Sequence, residues 1–368
     1  MSNTQAITEN TPKVRVIAFY LPQYHPIPEN DKTWGKGFTE WTHVTMAKPL
    51  FEGHQQPNLP GELGFYDLRL PEVRTAQAEL AKSHGIEGFC YWHYWLGNGR
   101  RLLERPFEEV LHSGKPDFPF CLAWANHSWH GRFFGSKTIQ VEQEYPGRED
   151  YVRHFNFLLK AFLDPRYIRV NSKPLIYIYN PKALPEPRML IDLWQELAIA
   201  NGLNGLHMVG EALREEEQKT LGFDARAYSR HRDIDSGQSR PLGDQMANMK
   251  KLLQAPHDLS MFPYELAKQH FLKPGVSPID EIPAIVPNWD STPRLGKDGT
   301  VIYGSTPNLF REHVKEALAK VIYKPADQRI LFVKSWNEWA EGNYLEPDLR
   351  NGSAYLEVLR DELHSQGH

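Results

Sequence analysis

The sequence predicts a closed (β/α)8 TIM barrel, an α/β fold in a single domain with long βα loops on its catalytic face. Three observations carry that expectation: eight short β-rich apolar runs, helical periodicity between them, and no repeat, low-complexity tract or Ser/Gly linker that would divide the chain. Such alternation builds βαβ units around a parallel sheet, and eight parallel strands is the number that closes. The chain has 368 residues, and barrels of this class run past ~250 residues as one domain.

The first run is VRVIAFY, Val14 to Tyr20, and the polar residues 1–13 before it read as a disordered tail. GIEGFCYW (Gly85 to Trp92), FPFCLAW (Phe118 to Trp124) and PLIYIY (Pro174 to Tyr179) follow, then LHMVG (Leu206 to Gly210) and DARAYS (Asp224 to Ser229). PAIVPNW (Pro283 to Trp289) and ILFVKSW (Ile330 to Trp336) complete the set. Helical segments lie between them at Pro71 to His84, Pro106 to His112, Asp150 to Leu163, Glu186 to Asn201, Glu215 to Leu221, Asp244 to Leu253 and Thr306 to Ala319, with Ala354 to Leu363 closing the chain. Two connections, Leu21 to Leu70 and Arg230 to Ile282, are too long for turns. Loops of that length carry function or small elements of their own, and both leave the barrel face where such enzymes build their sites.

Composition excludes several classes. Hydrophobic residues make up 40% and charged residues 24%, enough for a full core and a solvated surface. A net charge of -4 without a basic run argues against nucleic acid as a partner. No apolar stretch reaches the ~18 to 20 residues that span a bilayer, and residues 1–13 lack the features of an export signal, so the expectation is a cytoplasmic protein without membrane insertion. Cys90 and Cys121 sit in apolar runs as small buried hydrophobes. A G-x-S-x-G elbow and a glycine fingerprint for nicotinamide or flavin are both absent, which argues against serine chemistry and a cofactor.

Aromatic residues make up 12% of the chain, and many of its 10 Trp lie beside polar residues at predicted strand ends. The most informative segment is Lys334-Ser335-Trp336-Asn337-Glu338-Trp339-Ala340-Glu341-Gly342, where two carboxylates stand three positions apart after the eighth run. A loop or first helical turn projects such positions to one side, so Glu338 and Glu341 can enter one pocket. Cleavage of a glycosidic bond needs such a pair, one acid protonated and the other ionised, and neighbouring carboxylates against aromatic walls supply that split. The plainer alternative is a solvated surface pair.

Sugars present apolar C–H faces that suit flat aromatic rings with polar edges. Tyr91-Trp92-His93-Tyr94-Trp95 ends the second run; core packing accounts for alternate members, with Trp92 and Tyr94 nearer the pocket. The third ends with Trp124 and Asn126, followed by His127 and His130, whose i, i+3 spacing without a third ligand predicts no required metal. After the first run, Tyr20, Gln23, Tyr24 and His25 lead into Glu40 and Trp41; Glu40 fits a sugar-binding acid and a structural salt bridge equally. Trp289, Asp290 and Arg294 follow the seventh run, and Trp336 and Asn337 precede the acid pair.

Four motifs, AFYLPQYHPIPENDKTWGKGFTEWTHV, GHQQPNLPGELGFYDLR, PNWDSTPR and SWNEWAEG, resemble the WbsX-like proteins of bacterial polysaccharide loci, which belong with glycoside hydrolase family 99. The resemblance runs from about Val14 to about Pro347 and implies a (β/α)8 barrel. It also implies a retaining reaction assisted by the substrate's 2-hydroxyl, with Glu338 as the base toward that hydroxyl and Glu341 as acid/base at the leaving oxygen. Ala340 stands where the family's endo-acting α-mannosidases carry His, so the resemblance implies the acid pair without fixing mannose. The expectation is an endo-acting glycoside hydrolase whose partner is a carbohydrate, and the resemblance implies an O-antigen or other lipopolysaccharide setting. A glycosyltransferase or transglycosylase using the same pair, and a non-catalytic glycan-binding barrel, are the alternatives.

Overall fold

The computed structural model describes residues 14–131, 138–228, 246–247 and 249–365. The expected tail, residues 1–13, lies outside them, as do Ser229 and part of the helical segment expected from Asp244. Eight parallel strands alternate with eight helices: β1 (Arg15–Tyr20), α1 (Pro71–Ser83), β2 (Gly88–Trp95), α2 (Arg105–Ser113), β3 (Phe120–Trp124), α3 (Arg148–Phe162), β4 (Lys173–Ile178) and α4 (Pro187–Ala200). β5 (His207–Glu211), α5 (Glu215–Leu221), β6 (Ala225–Tyr228), α6 (Tyr264–Phe271), β7 (Glu281–Ile285), α7 (Pro307–Val321), β8 (Ile330–Val333) and α8 (Ala354–Ser365) follow. Each strand pairs with its sequence neighbours, and β1 pairs with both β2 and β8, so the sheet closes into the expected TIM barrel.

Closure explains the strand compositions. With helices outside and packed side chains inside, both faces are dry, and every residue of β2 is buried although its sequence reads GFCYWHYW. Phe19, Tyr177 and Phe332, from β1, β4 and β8, meet across the axis with ring centroids 5.0 to 5.6 Å apart. Cys90 and Cys121 are register partners on β2 and β3, both buried and unbridged.

Some boundaries differ from those expected. β2 runs three residues further along the chain because a turn at Gly85, with φ of +82°, follows α1, and pairing with β3 carries the aromatic run through His93↔Trp124. β7 stops before Pro287, which has no N–H for the ladder; the Val286 N–H instead donates to His313 Nε2 of α7 at 3.2 Å. β8 ends at Val333, yet the Lys334 N–H still donates to Ile285 O and the Trp336 N–H to Phe19 O.

The long connections have structure of their own. Residues 21–70 include helices Pro28–Trp34 and Glu40–Met46, and the connection after β6 contributes Ser260–Pro263 to a three-stranded sheet with Thr300–Tyr303 and Trp289–Asp290. That sheet buttresses the β7 loop, which continues into the short helix Thr292–Leu295 bearing Arg294.

Candidate active site

β8 delivers the acid pair through a chain of fixed backbone contacts. Asn337 is buried and ties the end of β8 to the end of β1: its Oδ1 accepts from the Leu21 N–H at 2.7 Å, and its Nδ2 donates to Leu21 O at 3.0 Å. Tyr24 Oη donates to Asn337 O. A 3-10 turn over Trp339–Glu341 then ends at Gly342, with φ of +54°. A Cβ on Gly342 would sit 2.7 Å from the Asp290 backbone nitrogen, so only glycine fits where the β7 and β8 loops touch.

Glu338 and Glu341 both line a cleft of about 370 Å³ at the C-terminal mouth of the barrel. Trp92, Tyr94, Gln23 and Arg294 share its wall. Arg294 gathers the acids: Nη1 donates to Glu341 Oε1 at 2.6 Å, Nη2 pairs with Glu40 Oε1, and Nη2 lies 3.6 Å from Glu338 Oε1. Glu40 is fully buried, and Gln23 Nε2 donates to its second oxygen at 2.8 Å. It therefore acts behind the wall, through the salt bridge that sequence reasoning left open.

Electrostatics split the cluster. Burial, reinforced by the charge of Glu341, pushes Glu338 up to about 7 against the opposing pull of Arg294 and Lys334. For Arg294 burial disfavours the charge, but Glu40, Glu341 and Glu338 together outweigh it and hold the guanidinium well above its ordinary value. Burial lowers His43, another cleft residue, with Glu40 opposing and Arg294 assisting.

The other expected binding residues lie elsewhere. Tyr20 donates to Gln77 Oε1 within the core, and Trp41 packs against Tyr24 and Trp339 beneath the acid turn. His25 is buried, and burial lowers it to about 4 despite the charge of Asp67. On β2 the side chains alternate: His93 faces α3, stacks on Phe157 and meets His154 Nε2 at 2.9 Å. Trp124 is a core ring whose Nε1 donates to Trp95 O, and Asn126 bonds both backbone groups of Asn180. Trp336 is fully buried against Phe89. Trp289 and Asp290 border a separate cavity of about 340 Å³, in which Asp290 accepts from His54, Gln56 and Thr292.

The cleft also contains residues that sequence reasoning did not select, among them Trp34, Phe38, Trp129, Tyr179 and Lys334. All lie in or beside quoted strand-end motifs; only the fold decides which alternate member faces the mouth. Among the described residues no group of three His, Cys, Asp or Glu side chains converges to hold a metal, and no helix is long and apolar enough to cross a membrane.

A closed eight-stranded barrel with paired acids and aromatic rings at its C-terminal mouth has the architecture of carbohydrate-active barrel enzymes. The family model described as Glycosyltransferase WbsX matches residues 16–359, so the chain belongs to the WbsX family. Proteins named WxcX and described as uncharacterized, from two strains of Xanthomonas campestris pv. campestris, are 35% identical over 366 and 370 residues. Those matches cover 98% of this chain but 51% of the relatives, so the chain spans about half their length. The GH99 endo-alpha-mannosidase of Bacteroides thetaiotaomicron shares the fold at a TM-score of 0.57 and 16% identity, covering 96% of this chain and 97% of that one. A structure described as a glycoside hydrolase-like protein aligns at a TM-score of 0.60 and 15% identity, over 99% of this chain and 97% of its own.

Proposed function

We propose that the protein is a retaining, metal-independent, endo-acting glycoside hydrolase for a bacterial polysaccharide or oligosaccharide, with Glu338 and Glu341 as its reacting carboxylates. One observation carries the reading: two acids from a single turn enter one aromatic-walled cleft, and both lie within reach of one guanidinium. Glu338, pushed up to about 7 by burial, is matched to take a proton near neutral pH. In this scheme it deprotonates the 2-hydroxyl, whose oxygen attacks the anomeric carbon while Glu341 protonates the leaving oxygen. Water, deprotonated by Glu341, then attacks the same carbon, the 2-oxygen recovers its proton from Glu338, and two inversions retain the configuration. Arg294 holds one oxygen of Glu341 at 2.6 Å, so in this scheme the transferred proton resides on the other.

A second reading, glycosyl transfer to a sugar acceptor, is favoured by the description of the matching family. The two separate when the protein is incubated with oligosaccharides and, in parallel, with nucleotide sugars. The hydrolase reading expects new reducing ends of retained configuration by proton NMR. Product from nucleotide sugars alone would reverse it.

A further inference from the structure

Lys334, the first residue beyond β8, takes no step in the scheme above beyond the pull of its charge on Glu338. Its side chain is 3% exposed, yet it borders the cleft that holds the acid pair. The ammonium lies over three rings, 5.3 Å from the centroid of Phe19, 5.1 Å from Trp92 and 5.9 Å from Tyr179. Ring faces attract a cation but take none of its three N–H bonds. Among the described residues no acceptor or carboxylate is within hydrogen-bond or ion-pair distance of Nζ, whereas Arg294 is shared among Glu40, Glu341 and Glu338.

The residue is buried but its Nζ opens onto the cleft, so the oxygen acceptors for its N–H bonds must come from water or from a ligand seated there. We propose that Lys334 anchors the carboxylate of an acidic sugar, so that the cleft takes a hexuronate-containing glycan. The inference rests on the carbohydrate reading above and adds the chemical class of the residue seated at the cleft floor. A diphosphate fits the described residues poorly, because among them one unshared cation faces the space and doubly charged groups call for several. A neutral hexose offers only hydroxyls, and a hydrogen bond between two charged groups is about twice as strong as a neutral one. Trp92 and Tyr179 also line the cleft beside the ammonium, and aromatic rings suit the apolar C–H surface of a sugar.

Titration of the intact protein with methyl glucuronoside, galacturonoside and mannuronoside, each against its parent methyl hexoside, tests this without turnover. At least one uronoside is expected to bind about tenfold or more tightly than its parent. Lys334→Met removes that preference, and Lys334→Arg keeps part of it. Equal affinity for uronosides and hexosides, or a preference that survives in Lys334→Met, overturns the inference. The comparison in the unaltered protein decides the matter even if the Met variant does not fold. Binding or cleavage of neutral glycans without acid preference leaves the hydrolase reading standing and removes only this one; failure to bind any saccharide removes both.

Discussion

Arg294 holds three carboxylates from two loops, and one of them, Glu40, is fully buried. Replacing it by Met strands those charges, and breaking a buried pair of this kind costs about 3–5 kcal/mol; urea unfolding of Arg294→Met should register that loss. Beneath the acid turn, Glu346 accepts from Trp339 Nε1 at 2.7 Å, Tyr66 Oη at 2.8 Å and Gln77 Nε2 at 2.7 Å. Burial still dominates and pushes it up to about 7. An acid raised on folding binds more protons in the folded state, so its stabilising contribution is complete below its ordinary value near 4.5 and is lost as pH rises through 7. That loss is about 3 kcal/mol for Glu346, and Glu346→Gln should flatten the fall of unfolding free energy between pH 5 and pH 8. Glu338, Glu341 and Arg294 were picked out as polar groups in strand-end motifs, but the same signal marked Glu40, Asn126, Asp290 and Asn337, whose polar atoms are taken up by structural contacts. Lys334 and Glu346 were not, since nothing in their neighbours along the chain reveals a ring of aromatics or a set of buried donors.

Elements were read more reliably than their ends. The bounds of α5 are those expected, and Gly222, a left-handed residue after its last turn, ends it. β2 and β7 slid because an unbroken apolar or aromatic run has no internal mark of register; partner strands and Pro287 set it. The same limit separated Trp92 and Tyr94, which reach the cleft, from His93, which faces α3. At Gly342, where the turn of the acid pair meets Asp290, an added methyl has no space. Gly342→Ala should cost about 1–3 kcal/mol by overpacking and should lower turnover more than it weakens substrate binding, because it displaces Glu341. Steady-state kinetics beside thermal melts check both effects.

For the whole molecule, the fold was legible because eight dry strands alternating with helices have one compact closed arrangement, and the structure has it. The two long connections were legible as exceptions, but their small helices and three-stranded sheet were not, since short elements stabilised by long-range contacts leave little local pattern. Phe332 meets Phe19 and Tyr177 across the axis, so Phe332→Ala should destabilise the barrel by about 3–5 kcal/mol, with one cooperative transition retained in denaturant. The central claim concerns the mouth of that barrel. It is tested most directly by kcat/KM on a cleaved oligosaccharide for Glu338→Gln and Glu341→Gln, with circular dichroism verifying that each variant is folded. The account predicts that each substitution removes at least about 99% of activity, on the order of the hundredfold or more that a positioned acid or base supplies. Full turnover by either folded variant would contradict it.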